Sequence, residues 1–68
     1  MTDTVALRSR IEKSGLKYCR IASQMGISSY SLQKKIDNLV EFKASEIVKL
    51  ASILSLTDSE RTAIFFAS

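Results

Sequence analysis

Apolar residues recur along this chain at intervals of three, four and seven positions, the spacing that places them on one face of an α-helix. The clearest set is Ile47, Leu50, Ala51 and Leu54, and Leu7 with Ile11 makes a shorter stripe near the start. The strict alternation of apolar and polar residues that is typical of strands is nowhere sustained. The pattern predicts a compact, all-α domain that covers residues 1–68.

Capping and stop signals divide this pattern into five short helices. Asp3 or Thr4 supplies the first N-cap, and Gly15 ends that helix because glycine accepts the left-handed conformation. Ser28 is a candidate N-cap for the third helix, and Thr57–Glu60 is a capping box that opens the fifth. The predicted helices cover about Thr4–Lys13, Tyr18–Gln24, the stretch from Ser28 to Asp37, Ala44–Leu54, and the segment from the capping box to Ala67. Between the third and fourth helices we expect a loop, Asn38–Phe42, anchored by Leu39 and Phe42.

The second and third helices have the spacing of a helix-turn-helix. Two helices that cross at a short turn need a small residue at the close approach, which Ala22 supplies, and a turn residue that tolerates positive φ, which Gly26 supplies. The residues expected to face the shared core are Ile21, Met25, Ile27, Leu32 and Ile36.

At about 100° per residue, the third helix also has a polar stripe opposite its buried residues. The stripe contains Tyr30, Gln33, Lys34 and Asp37, with Ser29 near its N-terminal edge. Gln suits bidentate contact with adenine and Lys suits guanine, whereas Tyr and Ser suit a base edge, a phosphate or a thymine methyl. The alternative is an ordinary solvated helix face.

Charge is distributed unevenly along the chain. The net charge of the 68 residues is +3, but residues 1–35 hold seven bases and two acids, whereas residues 36–68 hold three bases and five acids. A basic half of a small domain favours a polyanionic partner. Cys19 is the single cysteine and the chain has no His, so we expect neither an enzyme nor a metal, cofactor or small-molecule site. No apolar run is long enough to span a membrane, and we expect a soluble, cytoplasmic protein.

The sequence resembles the Cro and lambda-repressor-like helix-turn-helix family, also called the xenobiotic-response-element type, which is common among phage and bacterial regulators. The matching residues are Ile21-Ala22, Met25-Gly26-Ile27-Ser28, Leu32, the run from Phe42 to Ala51, and Ile53 to Thr57. The ending Phe65-Phe66-Ala67 further resembles short prophage-type members. Two positions depart from the family pattern: Lys35 stands where the last apolar residue of the recognition helix usually lies, with Ile36 taking that role, and Lys17 stands where Thr or Ser often caps the second helix.

The resemblance implies a five-helix fold whose third helix lies in the major groove of double-stranded DNA. It implies base contacts from Ser28, Ser29, Tyr30, Gln33 and Lys34. It implies phosphate contacts from Lys17, Tyr18, Asn38 and Lys43. Asp37 is the weak member of the stripe, because phosphates repel a carboxylate unless it accepts from cytosine.

The run Ile64, Phe65 and Phe66 spans about 200° of a helix, more than one short helix usually buries. We expect one or two of these residues at an edge, in a homodimer interface that lets two copies read a pseudo-palindromic site. The alternative is that they close the core of a single copy.

The function expected from these features is sequence-specific DNA binding by a transcriptional regulator, most simply a Cro-like repressor that occludes a promoter. One alternative is a protein-interaction module on the same fold, an anti-repressor or antitoxin-like partner. Another is a helical bundle without a nucleic-acid role.

Overall fold

The computed structural model describes residues 1–66, and over this range the chain forms five α-helices and no strand. The helices are α1 (Thr4–Ser14), α2 (Tyr18–Met25), α3 (Ser29–Ile36), α4 (Ala44–Ile53) and α5 (Asp58–Phe65). The predicted all-α, five-helix fold is therefore confirmed. The last residue of each of the first four helices lies one position from the predicted one. Ala67, where the pattern places the end of the fifth helix, lies outside the described residues.

The predicted capping residues make the expected hydrogen bonds. Asp3, rather than Thr4, caps α1, because its Oδ1 accepts from the N–H of Ala6 at 3.1 Å. At the start of α5, Thr57 Oγ1 accepts from the N–H of Glu60 at 3.1 Å, and Glu60 Oε1 accepts from the N–H of Thr57 at 2.9 Å. This reciprocal pair is a complete capping box, so the boundary before α5 is set by local sequence.

All five helices contribute to one hydrophobic core. The most completely buried side chains are Leu7, Ile11, Ile21, Leu32, Ile36 and Leu50. Phe42, in the loop after α3, packs its ring edge-on against Phe65 of α5, with 5.3 Å between the ring centroids. The prediction that Phe42 anchors this loop is confirmed.

The prediction that Leu39 is a second anchor of that loop is wrong, because Leu39 is 72% exposed. Asn38 takes a left-handed conformation with φ of 62°, and the N–H of Leu39 turns back to the carbonyl of Lys34 at 2.9 Å. The chain therefore reverses just after α3 and leaves Leu39 on the outside of the turn.

Asp3 and the first residue of α1, Thr4, bond to the C-terminal ends of other helices. The N–H of Asp3 donates to the carbonyl of Ile64 at 2.6 Å, and Thr4 Oγ1 donates to the carbonyl of Ile36 at 2.7 Å. Because these bonds join the N-terminal segment to both α3 and α5, they fix where α3 ends relative to the rest of the core. No helix within residues 1–66 is long and apolar enough to cross a membrane.

Candidate nucleic-acid interface

The turn between α2 and α3 is built as the sequence predicts. Gly26 has φ of 76°, and its N–H donates to the carbonyl of Ser23 at 3.1 Å, while the N–H of Ile27 donates to the carbonyl of Ala22 at 3.0 Å. These two bonds are those of a Schellman motif, which ends a helix on a left-handed residue. Two helices joined by a three-residue turn therefore form the predicted helix-turn-helix unit.

Ser28 begins α3 as its N-cap. Its Oγ accepts from the N–H of Ser31 at 3.1 Å, and its hydroxyl lies 3.1 Å from Ser31 Oγ, to which it donates. The single hydroxyl proton of Ser28 is thus already used within the first turn of the helix. Of the base-contacting residues that the resemblance implies, Ser28 is the one whose side chain has a structural role in the free protein.

The other four predicted base-contacting residues lie along the outer side of α3. Ser29 and Tyr30 are exposed, whereas Gln33 and Lys34 are half-buried, and Leu32 and Ile36 point into the core. Tyr30 is an exposed aromatic residue, with 72% of its surface accessible. The ammonium of Lys34 lies over its ring, 5.2 Å from the centroid, at the distance of a cation–π contact. The stripe thus contains one preformed pair of neighbouring side chains.

Two of the helices, α2 and α4, have a lysine as their N-cap residue. Lys17 precedes α2 and Lys43 precedes α4, both are exposed, and neither makes a side-chain cap because an ammonium group has no acceptor. The positive end of each helix dipole is thus accompanied by a second positive charge. Tyr18, in the first turn of α2, is half-buried and packs against the core. This combination favours an anion at the start of α2, whereas at the start of α4 the carboxylate of Glu46 already lies beside the helix end.

Ion pairs leave an excess of free positive charge. Within residues 1–66 four pairs form, namely Arg8–Asp37, Arg10–Glu60, Lys35–Glu46 and Arg61–Asp58. The bases without a carboxylate within 4.0 Å among these residues are Lys13, Lys17, Arg20, Lys34, Lys43 and Lys49. Three of the predicted contact residues are in this group, so their charges are available to a partner.

Asp37, the acidic end of the stripe, is paired with Arg8 of α1. An ion pair offsets the repulsion that a lone carboxylate would exert on a phosphate. Both side chains are close to half-exposed, so the pair stabilises the fold only slightly. Its main effect is to remove a negative charge from the end of the stripe.

Asn38 does not fit the phosphate-contacting role that the resemblance implies. Its Oδ1 accepts from the N–H of Thr2 at 3.1 Å, and its Nδ2 donates to the carbonyl of Thr2 at 2.7 Å and to Thr4 Oγ1 at 3.1 Å. Both amide protons are therefore used to hold the N-terminal segment. Asn38 is a structural residue, and a phosphate contact from its side chain would require these bonds to break.

The three C-terminal apolar residues differ in environment. Ile64 and Phe65 are 4% and 3% exposed and close the core of this chain, so they have almost no surface left for a second copy. Phe66 is 62% exposed and lies between two shallow grooves, one of which includes Val48 of α4. Of the predicted dimer-interface residues, only Phe66 therefore offers an apolar surface.

Lys35 is a residue of this region that the sequence did not assign to any interaction. It is 8% exposed, and its Nζ lies 2.8 Å from Oε1 of Glu46 in α4. A signal was available, since Lys35 lies about 60° from Leu32 on the helical wheel, on the buried side. What the sequence did not indicate is which carboxylate neutralises it.

The electrostatics of Glu46 follow from this contact. Burial alone would raise its pKa, but the hydrogen bonds from Lys35 and from the N–H of Lys43, together with both positive charges, hold the pKa below its ordinary value. Glu46 is therefore ionised at neutral pH. Its charge offsets that of Lys35 and lies beside the first turn of α4, where the helix dipole favours it.

The fold and the exposed basic residues define a small all-α protein with a helix-turn-helix unit. Comparison with protein families matches the chain over residues 3–68 to DUF739, described as a protein of unknown function, and the chain belongs to that family. No curated protein and no solved structure matches it.

Proposed function

We propose that this chain binds double-stranded DNA sequence-specifically and regulates transcription, as a Cro-like phage or prophage repressor. The proposal is supported above all by one observation: the second helix of the helix-turn-helix unit has an outward stripe with an exposed aromatic, an amide and a free ammonium group. Tyr30, Gln33 and Lys34 are side chains suited to base edges, and in the major groove such contacts distinguish the base pairs.

The free bases support the same proposal. Lys17 stands at the start of α2, where backbone N–H groups and the helix dipole also favour a phosphate oxygen. At the start of α4 the carboxylate of Glu46 already accepts from the N–H of Lys43, so Lys43 would contact a phosphate through its ammonium group. Phosphate contacts of this kind position a protein on the duplex without reading its sequence. In this arrangement α3 lies in the major groove, and the start of α2 contacts the DNA backbone.

Phe66 supports a homodimer on DNA. The exposed ring of Phe66, in a groove with Val48, leaves an apolar surface that a second copy would cover, and two copies would bind half-sites about 34 Å apart. Repression would follow from occupancy of a promoter by this dimer, inside the cell and in the cytoplasm.

The same exposed surface is compatible with a second function, a protein-interaction module of the anti-repressor or antitoxin type. Phe66 is the observation that favours it, because its ring has no partner within the described part of the chain that buries it. Such a protein would bind DNA weakly and with little salt dependence, whereas a DNA-binding regulator would lose affinity steeply as salt rises.

The deciding experiment is selection of bound duplexes from a random pool at about 150 mM salt, the physiological ionic strength. Enrichment of a two-fold symmetric motif is the expected result, because a dimer of identical domains reads identical half-sites in opposite orientations. If no sequence is enriched although the chain is folded, the proposed function is wrong.

A further inference from the structure

One carboxylate oxygen joins the inner side of α3 to the first turn of α4. Oε1 of Glu46 lies 2.8 Å from Nζ of Lys35 and also accepts from the N–H of Lys43 at 2.8 Å. The side chains of Lys35 and Glu46 are only 9% and 12% exposed. The other three ion pairs within residues 1–66 each leave both side chains about one-third exposed or more.

This connection lies between two residues that the proposed function assigns to DNA. Lys34, the candidate base-contacting residue, directly precedes Lys35 in α3. Lys43, the candidate phosphate-contacting residue, is the N-cap residue of α4 and shares the Glu46 oxygen through its backbone. The Lys35–Glu46 contact therefore links the segment that carries a candidate base contact to the segment that carries a candidate phosphate contact.

A contribution to the stability of the fold does not by itself explain a buried ion pair of this kind. Moving two charges out of water costs free energy that their attraction often only offsets, and apolar side chains of similar size stabilise a core as well or better. A buried ion pair does impose a defined geometry, because both groups must stay within hydrogen-bond distance to remain compensated.

We propose that Lys35 and Glu46 are positioning residues, which hold α3 at a fixed distance from the start of α4 so that Lys34 and Lys43 contact base and phosphate in one register. This inference rests on the DNA-binding function proposed above. Neither residue contacts DNA in this proposal. Their effect should therefore appear in discrimination between sequences, because base contacts depend on placement more steeply than the diffuse attraction to phosphates does.

The test compares Lys35→Met with Lys49→Met, a matched control that removes one positive charge from the exposed side of α4. For each protein we would measure the dissociation constant for the duplex selected by the unaltered chain and for a scrambled duplex of the same composition. We expect Lys35→Met to reduce the ratio of the two constants by about threefold or more, the range of coupling between contacting residues. Lys49→Met should leave this ratio unchanged.

A second pair of measurements keeps the test independent of folding. The double variant Lys35→Met/Glu46→Gln leaves neither charge buried, and it should fold yet show the same loss of discrimination. In Lys35→Met, amide hydrogen exchange at Lys43 should become about threefold faster or more relative to amides in α1, because its acceptor is no longer held in place.

The inference is overturned if the Lys43 amide exchanges as in the unaltered chain, or if Lys35→Met discriminates as well as Lys49→Met does. Failure of the proposed function would be seen in a different experiment, because the unaltered chain itself would then select no sequence. In that case the positioning role is refuted as well. Normal selection by the unaltered chain together with unchanged discrimination in both Lys35 variants refutes the positioning role alone.

Discussion

The ammonium of Lys34 lies 5.2 Å from the centre of the Tyr30 ring, one helical turn earlier on the outer side of α3. An exposed cation–π contact is worth about 0.5–1 kcal/mol, enough to bias an otherwise mobile lysine toward one orientation. The pair is therefore a partly ordered element of the surface that we propose to read DNA.

Replacing Tyr30 should weaken sequence discrimination more than overall DNA affinity. We expect Tyr30→Leu to reduce discrimination by roughly two- to fivefold, because the contact that orders Lys34 is lost along with the ring. Tyr30→Phe keeps the ring and serves as the control, with a smaller effect. Competition between selected and random duplexes measures both, and equal losses for the two variants would contradict the role of the ring.

Substitutions of Gln33 and of Lys17 should affect DNA binding in different ways: the first should reduce sequence discrimination, the second overall affinity. Gln33→Ala is expected to lose about 1–3 kcal/mol of discrimination at one base pair, the value of a bidentate contact. Lys17→Ala should weaken binding to all duplexes alike and reduce the slope of log K against log salt by about 0.9, the value of one phosphate contact. Salt titrations on selected and random duplexes separate the two. Equal loss on both duplexes for Gln33→Ala would remove it as a base-contacting residue.

The lowered pKa of Glu46 predicts a loss of stability in acid. Because its folded-state pKa lies below the ordinary value of 4.5, its contribution is present above that pH and is lost as the pH falls through the lowered pKa. Thermal unfolding as a function of pH should show this, and Glu46→Gln should flatten the curve below 4.5. In Lys35→Met, where burial still raises the pKa of Glu46 and one opposing charge is gone, the loss of stability in acid should be smaller than in the unaltered chain. A Glu46→Gln curve identical to that of the unaltered chain would refute this assignment.

Phe65 and Phe66 are adjacent but should respond differently to truncation. Phe65→Ala is expected to cost about 3–5 kcal/mol, a large part of the stability of a small domain, because it empties a buried site beside Phe42. Phe66→Ala should change the free energy of unfolding by less than about 0.5 kcal/mol, as for most surface positions. It should instead reduce self-association in sedimentation experiments at micromolar concentration. A Phe66→Ala protein that dimerises as the unaltered chain does would rule out this surface as the interface.

Gly26 should tolerate a methyl group sterically but not conformationally. Apart from Gly26 and its two chain neighbours, no heavy atom of the described residues lies within 4 Å of where a Cβ would stand, yet the φ of Gly26 is 76°, where L-residues are disfavoured. We expect Gly26→Ala to cost about 1 kcal/mol in chemical denaturation, and Ser9→Ala, at an exposed position of α1, to stay within about 0.5 kcal/mol. A cost for Gly26→Ala no greater than that for Ser9→Ala would contradict the requirement for positive φ.

Much of the fold could be predicted because its signals are local. The Gly26 turn, the Ser28 cap and the Thr57–Glu60 box each involve residues within a few positions of one another, and each forms as predicted. The outward direction of Tyr30 and Lys34 follows from the helical period once Leu32 is known to be buried. The functional role of that stripe stays a prediction.

The residues whose surroundings differ from the expectation depend on a turn that no sequence signal marks or on contacts between distant parts of the chain. Leu39 resembled a loop anchor by composition alone, and its exposure follows from how the backbone turns after α3. The resemblance implies a phosphate contact from Asn38, whereas its side-chain amide bonds to Thr2, 36 residues earlier. Ile64 and Phe65 could have faced a second copy, but the packing of α5 on the core buries them.

By itself, the sequence determined the five helices, the left-handed turn at Gly26 and the polar outer side of α3, because hydrogen-bonded caps and a 3.6-residue period act over a few residues. Only the tertiary structure decided that Lys35 is buried against Glu46 and that Arg8 neutralises Asp37. Which charges meet depends on the packing of whole helices, and no local period encodes that arrangement. Pairing leaves the net charge of +3 unchanged, but it decides which bases stay free, and the count of bases and acids along the chain does not specify that choice.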